Sequence, residues 1–191
     1  MKRLDRITNR FAARAAAIGG AALLACGIGE LLSPQHSQSR VVGVSGHLIL
    51  GFFALGCIAV APTFVVLAQR VSSKSARYAG AAAFAGTLLL GLTSITSLVN
   101  GTDLGLFNLL APITNAGWFV GSLVLCVALL RAKRLPAALA IGLVVAYVAA
   151  IPLATLGGGL IAGVYFVTLA YRVLGDSRSH DVATIAPLVA A

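Results

Sequence analysis

The sequence predicts an all-α fold, a polytopic transmembrane helical bundle of about six spans with both termini cytoplasmic, and three observations predict it. Of the 191 residues, 59% are hydrophobic and 10% charged, with a mean hydropathy of +0.99; a soluble domain is about 45–50% apolar and about 25% charged. A soluble chain of this length still exposes about a quarter to a third of its unfolded surface, and there are too few polar side chains here to cover it. The apolar residues are also gathered into runs near the length of about 20 residues that crosses about 30 Å of hydrocarbon. Finally, the cations cluster between those runs in a pattern that fixes orientation.

The runs, in order, are Ala12 to Leu32, His47 to Ala68, Tyr78 to Val99, Ala111 to Leu130, Pro136 to Leu156 and Gly158 to Leu174. Residues 1–11 form a basic cytoplasmic N-terminus, 12–174 the transmembrane bundle, and 175–191 a short cytoplasmic tail. Leu23-Leu24-Ala25-Cys26 loosely resembles a lipoprotein signal, but the apolar run continues to Leu32, which favours a retained helix. Pro62 interrupts the second run; it removes one backbone donor and predicts a kink, with Thr63 or a neighbour taking the freed carbonyl. Asn100-Gly101 ends the third, and Thr114 or Asn115 is placed to cap the fourth after Pro112. The fifth and sixth are separated only by Gly157 to Gly159, close to Pro152, and read as a tight helical hairpin. Phe11, Tyr78 and Tyr171 are placed at the inner boundary and Trp118 at the outer one.

Charge placement tests the count. With a cytoplasmic N-terminus, all of the 14 Lys and Arg except Arg40 fall on the inner side. Removing the final hairpin as a pair preserves this bias, so the charges establish an even number of crossings and leave four as the rival to six. The expected location is a bacterial plasma (inner) membrane, and the expected partner is the lipid bilayer. Although the net charge is +9, the basic clusters carry no interleaved aromatics for stacking bases, which excludes nucleic acid as a partner. Gly117 with Gly121, and Gly159 with Gly163, have the small-residue spacing that lets helices approach closely, and mark a candidate interface with partner membrane subunits or a second copy.

Polar residues at membrane depth are costly and therefore informative. Glu30 lies near the outer end of the first span and His47 at the outer start of the second. Thr93, Ser97 and Asn100 repeat near the outer end of the third, and Asp103, Asn108, Thr114 and Asn115 lead into the fourth. Their convergence would make a polar vestibule opening outward for a ligand or ion; hydrated caps at the headgroup level are the plainer reading. Glu30 stands out, because a helix C-terminus disfavours negative charge, and its expected partners are His47 and Arg40.

No residue pattern assembles a catalytic site, a metal site or a cofactor site. Cys26, Cys57 and Cys126 sit singly in apolar runs and read as packing residues. Gly43-Val44-Ser45-Gly46 resembles the serine motif of rhomboid intramembrane proteases, but that motif belongs deep in a later helix with a histidine on the last span. Ser39-Arg40 and Ser45-Gly46-His47 share fragments of a lipid-phosphate phosphatase signature at the wrong spacing. His36 and His47 are poorly placed for a buried haem, and Gly157-Gly158-Gly159 lacks the lysine of a phosphate loop. The expectation is a non-catalytic accessory subunit or small-molecule binding module. A small transporter or channel-like carrier of an ion or solute is second, and an outer-leaflet lipid-modifying enzyme third.

Overall fold

A computed structural model describes residues 2–33, 43–101 and 105–174. Its elements are α1 (Lys2–Leu32), α2 (Gly43–Gln69), α3 (Lys74–Asn100), α4 (Gly105–Arg131), α5 (Ala137–Ala150) and α6 (Gly159–Leu169), which widens into a π turn over Ala170–Leu174. No strand occurs among the described residues. Each helix packs on its neighbours in sequence, and α6 returns to pack on α1, so the bundle is a closed ring.

Four helices are long and apolar enough to cross a membrane: Asn9–Leu32, Gly43–Gln69, Lys74–Asn100 and Leu109–Arg131. The final hairpin is shorter than expected. At 1.5 Å per residue α5 is about 21 Å long, short of the roughly 30 Å of hydrocarbon. The helix stops at Ala150, ahead of Pro152, and the chain turns through a 3₁₀ segment at Ala154–Leu156 before Gly157 takes a left-handed φ of 75°. The chain therefore has four long helices, with α5 and α6 as shorter apolar helices that complete the ring.

The start of α4 also differs. α4 begins at Gly105 and runs through Pro112, so Thr114 and Asn115 lie inside the helix and are not caps. Thr114 instead returns its hydroxyl proton to the Ala111 carbonyl at 3.1 Å. α2 continues past Pro62 to Gln69, as the second run predicts, but the carbonyl left by the proline is not taken by Thr63, whose Oγ1 has no hydrogen-bond partner among the described residues. The end of α3 is as expected, with Gly101 at φ 68° closing the helix.

Its start is set by Ser73, whose Oγ accepts from the Ala76 N–H at 3.1 Å, satisfying one of the orphan donors of the first turn. Ser73→Ala is expected to cost about 1 kcal/mol, measurable as a lowered thermal midpoint.

Within lipid the apolar effect gives helices no reason to associate, so close packing and interhelical hydrogen bonds hold the ring. Glycine permits the closest approaches. A Cβ on Gly121 would lie 2.6 Å from the Ala79 oxygen on α3, and one on Gly163 would lie 2.6 Å from the Gly20 oxygen on α1. Gly117 similarly faces Ala82 and Gly86, and Gly159 faces Leu23 and Gly27. These four glycines are therefore occupied by packing within the chain, and the interface with other subunits expected from them is withdrawn.

The ring's interior is filled by Leu23, Phe64, Trp118, Leu125, Leu143 and Phe166, among others. Phe64 and Phe166 meet edge to face at 6.2 Å, and Trp118 meets Tyr147 in the same way at 5.4 Å. Trp118 is thus a core residue at 0% exposure rather than an outer interfacial anchor. Phe11, Tyr78 and Tyr171 are exposed near the basic end, where anchoring aromatics were expected. All three cysteines are buried and free.

Candidate functional site

The expected vestibule residues separate into groups. Glu30 is half-buried on α1, and His47 is exposed in the first turns of α2. The antiparallel register of these helices is set by Gly29 packing on Ile49 and by Ser33 Oγ donating to Ser45 Oγ at 3.2 Å. That register puts Glu30 and His47 at the same height. The His47 Nδ1 donates to its own helix, at 2.7 Å from the Gly43 oxygen. Arg40 and Asp103 lie outside the described residues, and the side chain of Asn108 is likewise not described.

On α3 the expected face divides. Thr93 is half-buried and Asn100 exposed, and each satisfies itself locally: Thr93 Oγ1 lies 2.9 Å from the Leu89 and Leu90 oxygens, and Asn100 donates to Thr96 O at 2.7 Å. Ser97 is buried, as are Thr87 and Ser94, which sequence reasoning passed over. Thr87 and Ser94 donate back to the carbonyls four residues earlier at 2.7 and 2.8 Å, a bond a buried hydroxyl in lipid can make without another helix.

On α4 the situation is different. Asn115 Oδ1, Trp118 Nε1 and Ser122 Oγ are buried and have no hydrogen-bond partner among the described residues. At 100° per residue their positions fall within about 60° of one another around the helix, and they extend about 10 Å along it. Trp118 and Ser122 are fully buried, so this is the face that meets the core and Tyr147 of α5. The packing of Gly86 against Thr114 and Trp118 puts Thr87 at the level of Asn115. The row therefore descends from the half of the bundle that holds Glu30 to its mid-depth, since Ser122 lies near the middle of the span Leu109–Arg131.

The sequence expectation confined the polar groups to the outer third. Ser122, Thr87 and the buried Thr63 of α2 extend them to the middle of the bundle and beyond. A helix-face projection of α4 would have joined Asn115 to Trp118 and Ser122, but which face turns inward is a property of the ring.

Chemically the row offers an amide oxygen that accepts, an indole N–H that donates and a hydroxyl that does both. This is equipment for holding a small neutral hydrogen-bonding molecule, and it carries no formal charge. Among the described residues, no group of three or more His, Cys, Asp or Glu could hold a metal ion.

Comparison with known protein families, with curated proteins and with solved structures finds no match to this chain. The fold and composition define its class: a membrane-embedded protein built as an α-helical bundle.

Proposed function

We propose that this is a non-catalytic binding module of the membrane, which takes a small polar molecule into the bundle along the inward face of α4. One observation carries the reading: Asn115 Oδ1, Trp118 Nε1 and Ser122 Oγ form a row of buried polar atoms with no partner among the described residues. Each such group costs about 1–3 kcal/mol when left unsatisfied, and hydrocarbon supplies no substitute for the missing bond. Entry is from the end bearing Glu30 and His47; the distribution of Lys and Arg supports reading that end as the outer face of a plasma membrane, with both termini inside.

Trp118 is the single tryptophan of the chain, so the site contains its own reporter. In lipid nanodiscs, acrylamide, a small neutral amide, is expected to quench Trp118 more strongly than brominated acyl chains do. Asn115→Leu and Ser122→Ala are expected to lower acrylamide quenching several-fold in folded protein, and Glu30→Gln to slow its onset. Quenching by brominated lipid alone, or variants indistinguishable from the parent, would retire the proposal.

Polar groups reaching mid-depth also favour a second reading, a carrier for the same class of molecule, because carriers bind at the midplane. Uptake of a radiolabelled small amide by liposomes holding only this protein decides between the two.

A further inference from the structure

The opposite end of the bundle has a different chemistry. Arg70, Lys74, Arg77, Arg131, Lys133 and Arg134 lie in the α2–α3 and α4–α5 connections and the helix ends that flank them. Between the start of α3 and the end of α4 a cleft of about 560 Å³ opens. Its polar lining is Ser73, Ser75 and Arg131; Leu123, Val124 and Val127 supply most of the apolar wall.

The two parts of the lining are arranged along the membrane normal. Leu123, Val127 and Arg131 recur every four residues of α4, one above another on the same face. An apolar strip thus runs along the helix for about 12 Å and ends on a guanidinium. Leu123, Val124 and Val127 are 38–43% exposed, so the strip faces away from the core, toward lipid.

At the polar end Ser73 Oγ lies 3.1 Å from Ser75 Oγ, and Ser73 caps α3. The first turn of this 27-residue helix contributes orphan N–H groups and the positive end of its dipole. An arginine, two hydroxyls and a helix N-terminus make a receptor for an oxyanion, and the guanidinium matches a phosphate with two parallel N–H bonds. A soluble anion would use this polar end and leave the strip bare. A molecule that fits both has a phosphate at one end and an extended hydrocarbon chain at the other.

We infer that the α3–α4 cleft is a binding site for one anionic glycerophospholipid, its phosphate held by Arg131 and the start of α3 and one acyl chain lying along Leu123 and Val127. The site is separate from the row on the inward face of α4, so either can fail without the other.

The test is native mass spectrometry of the protein released from nanodiscs containing equal amounts of phosphatidylglycerol and phosphatidylcholine with identical chains. The expected result is one retained phosphatidylglycerol per protein. Arg131→Gln is expected to lower its retention relative to phosphatidylcholine about tenfold, the loss of a charge-assisted hydrogen bond, while Arg134→Gln, outside the cleft, leaves it unchanged. Val127→Trp fills the strip with every cation intact and is expected to expel the lipid, which keeps the test decisive if Arg131→Gln folds poorly. Three results would overturn the inference: equal retention of both lipids, an equal loss in Arg131→Gln and Arg134→Gln, or displacement of the lipid by an equal concentration of inorganic phosphate. The second would mean diffuse attraction by the basic end, and the third a headgroup site without an acyl strip.

Discussion

Gly163→Leu is expected to open the ring, with a loss of about 3 kcal/mol or more and little monodisperse protein surviving a temperature ramp that leaves the parent intact. The cost follows from what surrounds the position. A Cβ there would meet the Gly20 oxygen at 2.6 Å and the Leu24 nitrogen at 2.7 Å, both backbone atoms of α1. Backbone cannot rotate aside as a side chain can, so the two helices must separate along the whole contact. Gly159 and Gly27 meet one turn further along the same seam, where a Cβ on Gly159 would lie 2.7 Å from the Leu23 oxygen. Separation at one glycine therefore undoes the packing at the other, and lipid offers no apolar driving force to restore it.

Gly51→Ala is the matched control. Its nearest neighbour would be Leu98 Cδ2 at 3.9 Å, an ordinary contact, so no loss is expected, and a gain of about 0.5–1 kcal/mol follows from removing a glycine from a helix interior. If both variants survive heating equally, the closure of α6 on α1 does not hold the bundle together.

The contrast between these glycines also shows where sequence reasoning reached its limit. The spacing of Gly159 and Gly163 announced a close helix contact correctly, but spacing alone cannot say whether the partner helix is in the same chain. Ring closure decides that, and it depends on which end of α6 meets α1. The all-helical, membrane-embedded character was legible because it rests on composition and run length, which need no tertiary information. The length of the last hairpin was not, because Pro152 and three consecutive glycines remove helix from both sides of a turn whose position the hydropathy does not mark.

The candidate site was legible in part for the same reason. Glu30, Ser97 and Asn115 are conspicuous in the sequence because polar residues near a span's end stand out against apolar neighbours. Ser122, Thr87 and Thr63 were passed over because a single small hydroxyl barely lowers the hydropathy of a run and in a helix commonly bonds its own backbone. Thr87 does so; Ser122 and Thr63 do not, and that difference exists only in the packed bundle. An amphipathic ring predicts the interface for Trp118, a preference overridden here by its edge-to-face contact with Tyr147 inside the bundle.

Thr63→Val and Ser122→Ala are both expected to stabilise the bundle, but only Ser122→Ala is expected to lose binding. Valine has nearly the shape of threonine, so Thr63→Val removes the unpartnered Oγ1 without opening a cavity, and a gain of about 1–2 kcal/mol is expected from the relieved desolvation. Thr63 lies on α2 and is not part of the α4 row, so quenching of Trp118 by acrylamide should remain as in the parent. Ser122→Ala removes a hydroxyl from the row itself. The same relief applies, offset by the small void left behind, and a net gain of about 1 kcal/mol is expected together with loss of acrylamide access. A stabilising change that removes binding is the signature of a polar group retained for its ligand at the expense of the fold. Melting midpoints and quenching measured on the same preparations separate the cases. Loss of stability in Thr63→Val would show that its hydroxyl is bonded in the native protein. A gain in Ser122→Ala with quenching unchanged would show that Ser122 serves neither packing nor ligand.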